Sequence, residues 1–187
     1  MKYFIVSDIH GSAYYCQKAL ECFEREKAGR ILMLGDILYH GPRNDLPRDY
    51  APKKVIEMLN PLAGKILCVR GNCEAEVDQM VLSFPVLAEY CIIDMGENII
   101  FATHGHKYNA SAIPPLCPGD ILLCGHTHVP KIEECGGVTY LNPGSAAIPK
   151  EGSWNGYMTY EDGVFTWKGF DGEVKMTYSV KKQRAGS

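Results

Sequence analysis

Five of the six histidines in this chain stand just past the end of an apolar run. His10 follows YFIVSDI, His104 and His106 close FATHGH, and His126 and His128 close LLCGHTH. Asp8 shares the first of these run ends, Asp36 closes RILMLGD, and Asn72 closes KILCVRGN. Only His40 lies away from a direct run end, following Asp36 in the next loop. Taken alone, Asp-Ile-His-Gly is ordinary loop chemistry in which Asp can cap a helix, and a solitary histidine is ordinarily a hydrogen-bonded core or surface residue. The repetition of the same donor types at one kind of position is what that reading leaves unexplained. Carboxylate, imidazole and amide donors suit Mn²⁺, Zn²⁺, Fe or Ni²⁺ better than soft Cu(I). Asp8 with His10, and His126 with His128, are spaced i, i+2, which turns both members of a pair to one side of an extended chain. Asp8, His10, Asp36, Asn72, His104, His126 and His128 are too many for one four-coordinate site, and enough for two sites sharing a carboxylate.

The elements that must position these donors read clearly in the first half. YFIV, RILMLGD and KILCVRGN are unbroken apolar runs, as in strands covered on both faces. Between the first two, Ser12 is an N-cap, Cys16, Ala19, Leu20 and Phe23 follow helical spacing, and Gly29 fits the stop. Between the second and third, Pro52 opens a helix with Val55, Ile56 and Leu59 on one face, and Pro61 ends or kinks it. Strand, helix, strand, helix, strand implies parallel pairing through right-handed crossovers. The second half predicts hairpins: EYCIIDM with IIFATHG, KIEEC with VTYLN around Gly136 and Gly137, and alternating strands from GYMTYEDG to the end. The expectation is one α/β domain over 1–187, its N-terminal half parallel-leaning, its C-terminal half antiparallel, with about 181–187 a disordered tail. In open α/β sheets ligands bind beyond the carboxyl ends of the strands, which is where every one of these donors lies.

Composition narrows the function classes. The chain has 187 residues, 46% apolar and 22% charged, with a net charge of −3. A short basic end, VKKQR, is too little to neutralise a nucleic-acid backbone, and no run approaches the ~18 apolar residues of a membrane span. The N-terminus enters a strand with no signal-peptide pattern, so the expected location is the cytoplasm. The eight cysteines include no CxxC pair, and several sit in apolar runs, so they are expected to be buried thiols, with Cys73 set apart by its position after Asn72.

The pieces DIH (8–10), GD (35–36), GN (71–72), His104 and GHTH (125–128), in this order and across most of the chain, resemble the calcineurin-like metallophosphoesterases. GDILYHGPRNDLP, RGNCEAEVDQM and LNPGSAAIPK, with the short length, are similar to the small YfcE-type bacterial phosphodiesterases. The resemblance implies a four-layer α-β-β-α sandwich of two mixed sheets with a metal pair at their top. It implies that Asp8, His10 and His128 hold one ion, that Asn72, His104 and His126 hold the other, and that Asp36 bridges both. The activity implied is hydrolysis of small phosphodiesters by a hydroxide bridging two divalent ions, most simply Mn²⁺. A phosphomonoesterase on the same dinuclear site is the alternative enzyme. A non-catalytic Vps29-like retromer scaffold is the alternative without chemistry, and it fits less well because all seven positions carry competent donors.

One departure from the wider family stands out. Many members carry histidine after GN, assisting the leaving group, whereas this chain carries Cys73. A thiol is a weak hydrogen-bond donor. His106 is a candidate to orient His104 or to line the substrate cleft, and Arg43 and Arg70 are candidate phosphate contacts because guanidinium matches phosphate geometry. LNPGS is expected as a turn under the site, with Thr127 pointing away from it. The expected partner is a small phosphoester, with neither nucleic acid nor membrane involved, and association into oligomers is left open.

Overall fold

The computed structural model describes residues 1–180, so the expected tail at 181–187 lies outside the described residues. Three apolar runs form β1 (Tyr3–Val6), β2 (Arg30–Met33) and β3 (Ile66–Cys68), paired in parallel so that Val6 lies beside Met33 and Met33 beside Cys68. All three strands therefore stop at one edge. Helix α1 (Ala13–Glu26) and helix α2 (Pro52–Leu59) make the crossovers. Ser12 caps α1 by accepting from the Tyr15 N–H. The helix stops at Lys27, which is left-handed at φ 51°, two residues before the expected Gly29, whose N–H instead donates to the Lys2 carbonyl. A short helix α3 (Glu76–Val81), too brief to show a period in the sequence, follows β3.

The second sheet takes β4 (Tyr90–Asp94), β5 (Ile99–Thr103), β6 (Ile121–Leu123), β7 (Lys131–Cys135) and β8 (Val138–Asn142) in the order β4-β5-β6-β8-β7. The two expected hairpins are there, but β5, β6 and β8 run parallel to one another. The expectation of an antiparallel C-terminal half is thus corrected. Hairpins are local and visible, whereas the pairing of β5 with β6 is made across a long loop that carries no pairing signal. Strands β9 (Gly156–Glu161), β10 (Val164–Gly169) and β11 (Val174–Ser179) return to the first sheet, whose order is β11-β10-β9-β1-β2-β3.

Both sheets are mixed, and they pack face to face over Ile5, Leu32, Ile100, Leu123, Leu141, Met158 and Trp167. The indole N–H of Trp167 crosses between the sheets to the Asn142 carbonyl at 2.6 Å, which satisfies a buried donor that would otherwise cost about 1–3 kcal/mol. Helices α1 and α2 cover the outer face of the first sheet through Cys16, Ala19, Phe23, Val55 and Leu59. Over the second sheet the outer layer is thin: Ala110 and Leu116, from the loop after β5, pack on Phe101, Leu122, Cys124 and Tyr140. All eight cysteines are free thiols; Cys16, Cys22, Cys68 and Cys124 are buried, while Cys117 is exposed, against the expectation of burial. Its loop follows two prolines and has no strand to bury it. Among the described residues no helix is long and apolar enough to cross a membrane.

A buried carboxylate ties α1 to the first sheet. Glu26, with its side chain 8% exposed, accepts from Lys2 Nζ at 2.8 Å, Lys168 Nζ at 2.6 Å and the Tyr157 hydroxyl at 2.8 Å. Burial works against its ionisation, but the two ammonium groups and the hydroxyl hold its carboxyl down at about 2. A depressed carboxylate stabilises the fold above its unfolded pKa and loses that contribution as pH falls toward the folded value. The stability gap between wild type and Glu26→Gln, measured as urea midpoints, is therefore expected to be full above about pH 5 and to shrink between about 4.5 and 2. A gap that does not change with pH would contradict this clamp.

Candidate metal centre

The donor side chains leave their strands through backbone that L residues rarely adopt. Asp8, His10, Asp36, His126 and His128 all have positive φ, between 49° and 68°. Each such conformation costs about 1–2 kcal/mol for a non-glycine residue. The extended i, i+2 spacing expected for Asp8–His10 and His126–His128 is therefore absent. Left-handed turns, not a pleat, bring each pair to the rim. Hydrogen bonds hold these turns: within the first sheet, Asp8 N–H to the Gly35 carbonyl and His10 N–H to the Asp36 carbonyl, and from the second sheet, Ser145 Oγ to the Asp8 carbonyl at 2.9 Å and His126 N–H to Asp8 Oδ2 at 3.1 Å. The Gly before Asp36 and the Gly before Asn72 have a steric reason. A Cβ on Gly35, at φ +89°, would stand 2.4 Å from the Gly71 nitrogen, and one on Gly71 would stand 2.1 Å from Asp36 Oδ1.

Three imidazoles are oriented by backbone carbonyls. His10 Nδ1 donates to Tyr39 O at 2.7 Å, His104 Nδ1 to Leu34 O at 2.6 Å, and His128 Nδ1 to Ile148 O at 2.6 Å. A carbonyl only accepts, so the proton is on Nδ1, and in the neutral ring Nε2 is a bare lone pair. Those lone pairs converge. His10 Nε2 lies 3.2 Å from His128 Nε2, and His104 Nε2 lies 3.2 Å from His126 Nδ1 and 3.0 Å from Asn72 Oδ1. Asp36 Oδ2 stands 3.6 Å from His10 Nε2 and 3.5 Å from His104 Nε2, facing both groups, while Asp8 Oδ1 stands 3.3 Å from His128 Nε2. Asp8 Oδ1 is buried and receives no hydrogen bond. Two acceptors pointed at each other at 3.2 Å repel unless a proton or a cation lies between them. Donors bound to one cation at ~2.0–2.1 Å stand roughly 3–3.5 Å apart, so the side chains fit divalent ions. Asp8, His10 and His128 could share one, and Asp36 with His104 reaches toward a second.

The electrostatics fit the same picture. Burial opposes ionisation of Asp8, yet the His10 and His128 contacts hold its carboxyl well below the usual range. Burial likewise opposes Asp36, and His104 holds it low. Burial pulls the His104 imidazole down, but the Asp36 and Asp8 charges outweigh this and raise it to about 9. The centre thus attracts positive charge strongly. Burial, and then the like charge of Asp36, push the Cys73 thiol up, so it is neutral at ordinary pH.

Glu74 is the residue that sequence reasoning missed. It is 4% exposed, and it accepts from the N–H groups of Asp36 at 2.9 Å, Ile37 at 2.7 Å and Gly71 at 2.5 Å, stapling the GD turn to the GN turn. Burial and the Asp36 charge push its carboxyl up to about 7. Nothing in the sequence around it, RGNCEAEVD, separates it from its acidic neighbours, the exposed Glu76 and the half-buried Asp78. Arg43 lines the cavity of about 310 Å³ above the donors, and so does Lys150, which sequence reasoning also passed over. Arg70 turns away, donating to the Glu74 carbonyl at 3.2 Å. His106 makes no hydrogen bond to His104, whose Nδ1 is taken by Leu34; its ring centroid lies 5.5 Å from that of His104 and 6.3 Å from that of His126. Asn142 Nδ2 donates to Thr127 Oγ1, and Ser145 accepts from Ala147 and Ile148 N–H, so LNPGS is a hydrogen-bonded turn beneath the donors.

A mixed α/β fold with this donor set at its strand ends defines a phosphoesterase frame. The description "Calcineurin-like phosphoesterase superfamily domain" matches residues 1–162, and the chain belongs to that superfamily. It is 44% identical to phosphodiesterase YfcE of Escherichia coli over 166 residues, 89% of this chain and 90% of the relative. The solved structure of YfcE, described as a phosphoesterase from E. coli, superposes with a TM-score of 0.93 at 41% identity, covering 97% of this chain and 100% of that one. Vps29 from Entamoeba histolytica, solved in complex with Zn²⁺, shares the fold at 22% identity with a TM-score of 0.62, covering 97% of this chain and 100% of that one.

Replacing Glu74 by Gln sets an amide N–H₂ against at least one of three backbone N–H donors. Urea unfolding at pH 8 is expected to show a loss of about 1–3 kcal/mol. An unchanged midpoint would contradict the stapling role.

Proposed function

We propose that this protein is a metal-dependent phosphodiesterase acting on small phosphodiesters. Asp8, His10 and His128 would hold one divalent ion, Asn72, His104 and His126 a second, and Asp36 would face both. Mn²⁺ is the first choice for this oxygen and nitrogen donor set. The observation that carries the reading is the pair of His10 and His128 Nε2 atoms 3.2 Å apart, both with Nδ1 committed to carbonyls. Identity to a named phosphodiesterase supports the diester as substrate.

When bound, two dications would supply positive charge against the phosphoester oxygens and lower the pKa of coordinated water toward about 7. The chain's own residues do the remainder. The carbonyls of Tyr39, Leu34 and Ile148 keep three imidazoles in one tautomer and one direction. Asp36 is anchored by the Cys73 N–H to Oδ1 at 2.9 Å, leaving Oδ2 turned to the donors. Arg43 and Lys150 at the cavity wall attract an anionic ester. Cys73 lines the same cavity as a neutral thiol, a weak proton donor, so esters with good leaving groups turn over best.

Asp36→Asn is expected to abolish hydrolysis of bis(p-nitrophenyl) phosphate and to weaken Mn²⁺ binding measured by calorimetry. Full activity in that variant would refute a shared role for Asp36. Cys73→His is expected to raise rates for alkyl leaving groups by about tenfold or more relative to aryl ones. If the alkyl rates do not rise, proton delivery is not what limits them.

A further inference from the structure

One donor, His126, lines two cavities. The first, of about 310 Å³, lies over His10, Asp36 and His128 and is walled by Arg43, Asn44 and Lys150. The second, of about 540 Å³, is walled by His106, Asn109, Ser111, Thr127 and Tyr140. Among the described residues the only lining residue common to both is His126. A phosphate monoester carries one organic substituent and a diester carries two, so two cavities that share the donor His126 match a diester.

Their charges differ. Arg43 and Lys150 in the smaller cavity make no ion pair among the described residues, so both cations face whatever enters. The larger cavity has one cation, Lys131, tied to Glu133 at 2.6 Å, and a further carboxylate, Glu151. Its remaining polar wall includes the Asn109 amide, the Ser111 and Thr127 hydroxyls and the imidazole of His106, whose Nδ1 has no hydrogen-bond partner. Negative charge develops on the leaving oxygen during displacement at phosphorus, and fixed cations are most useful where that charge appears. The retained substituent gains no charge and needs none answered.

From this, and resting on the phosphodiesterase reading above, we infer that the two cavities divide the substrate. The smaller cavity, lined by the donors, takes the phosphoryl group and the leaving arm. The larger takes the retained arm, which is an uncharged, hydroxyl-bearing group of about nucleoside size, suited to a cavity in the range of about 300–1,000 Å³ that holds small ligands. In the reaction a water oxygen forms a new bond to phosphorus as the bond to the leaving oxygen breaks; the leaving arm departs as its alcohol or phenolate, the water's protons pass to it or to solvent, and the retained arm departs as its phosphate monoester.

The Mn²⁺-loaded protein tests this with two esters that share one leaving group, methyl p-nitrophenyl phosphate and thymidine 5′-(p-nitrophenyl phosphate). The expected kcat/KM is about tenfold or more higher for the thymidine ester. Ser111→Trp, filling the larger cavity from an exposed position, is expected to bring the ratio near one; Lys131→Trp, from an exposed strand position lining the same cavity, is the second variant should the first not fold. A 3′-phosphate added to the thymidine is expected to lower kcat/KM, since that cavity holds an excess of carboxylate. Equal efficiency on the two esters, or a preference that persists in a folded tryptophan variant, would overturn the division of the substrate while leaving the phosphodiesterase reading standing. No hydrolysis of either ester would overturn both.

Discussion

Two imidazole nitrogens 3.2 Å apart, each with its lone pair forced toward the other, are the constraint on which the rest of this molecule turns. Neither ring can escape by exchanging its proton between nitrogens, because His10 and His128 both spend Nδ1–H on a backbone carbonyl. The same device fixes His104. Between these rings stand Asp8 Oδ1, buried without a hydrogen bond, and Asp36 Oδ2. A fold that buries so many acceptors around one point is unstable toward anything except positive charge, and the raised pKa of His104 expresses the same demand through protons.

The rest of the fold serves that demand. Parallel strands in both sheets stop at one rim, and the sheets face each other closely enough for Ser145 and His126 of the second to bond Asp8 of the first. Left-handed turns at five donor positions place side chains where a continued strand would alternate them away. Such turns persist only where the surroundings over-determine them. Here the surroundings are the Gly35–Gly71 contact and Glu74, which gathers three N–H groups from two turns. Burial first, and then the charge of Asp36, raise the Glu74 carboxyl; a cation held beside Asp36 would offset the second of these and so stabilise the staple.

Much of this was legible in the residues. Apolar runs ending in Asp, Asn and His marked both the strands and the rim, because a buried strand must be apolar throughout and a polar donor can sit only where it ends. The β4–β5 and β7–β8 hairpins were equally visible, since their turns are local. The parallel neighbours of β6 were not, because that pairing is settled by packing between distant segments. Glu74 was hidden for a related reason: its partners are backbone N–H groups, which have no sequence signature. Lys150 was hidden because the turn after LNPGS, which brings it over His128, is read only in three dimensions. Left-handed turns and a pleat can aim two side chains alike, so the i, i+2 spacing of Asp8–His10 and His126–His128 marks the rim although the backbone there is not extended.

The most direct test is anomalous diffraction at the manganese edge from a crystal grown with excess Mn²⁺. Two peaks are expected in each chain, one enclosed by Asp8, His10 and His128, the other by Asn72, His104 and His126, with Asp36 touching both. A single peak, or an empty rim with the imidazoles turned aside, would contradict the account at its centre.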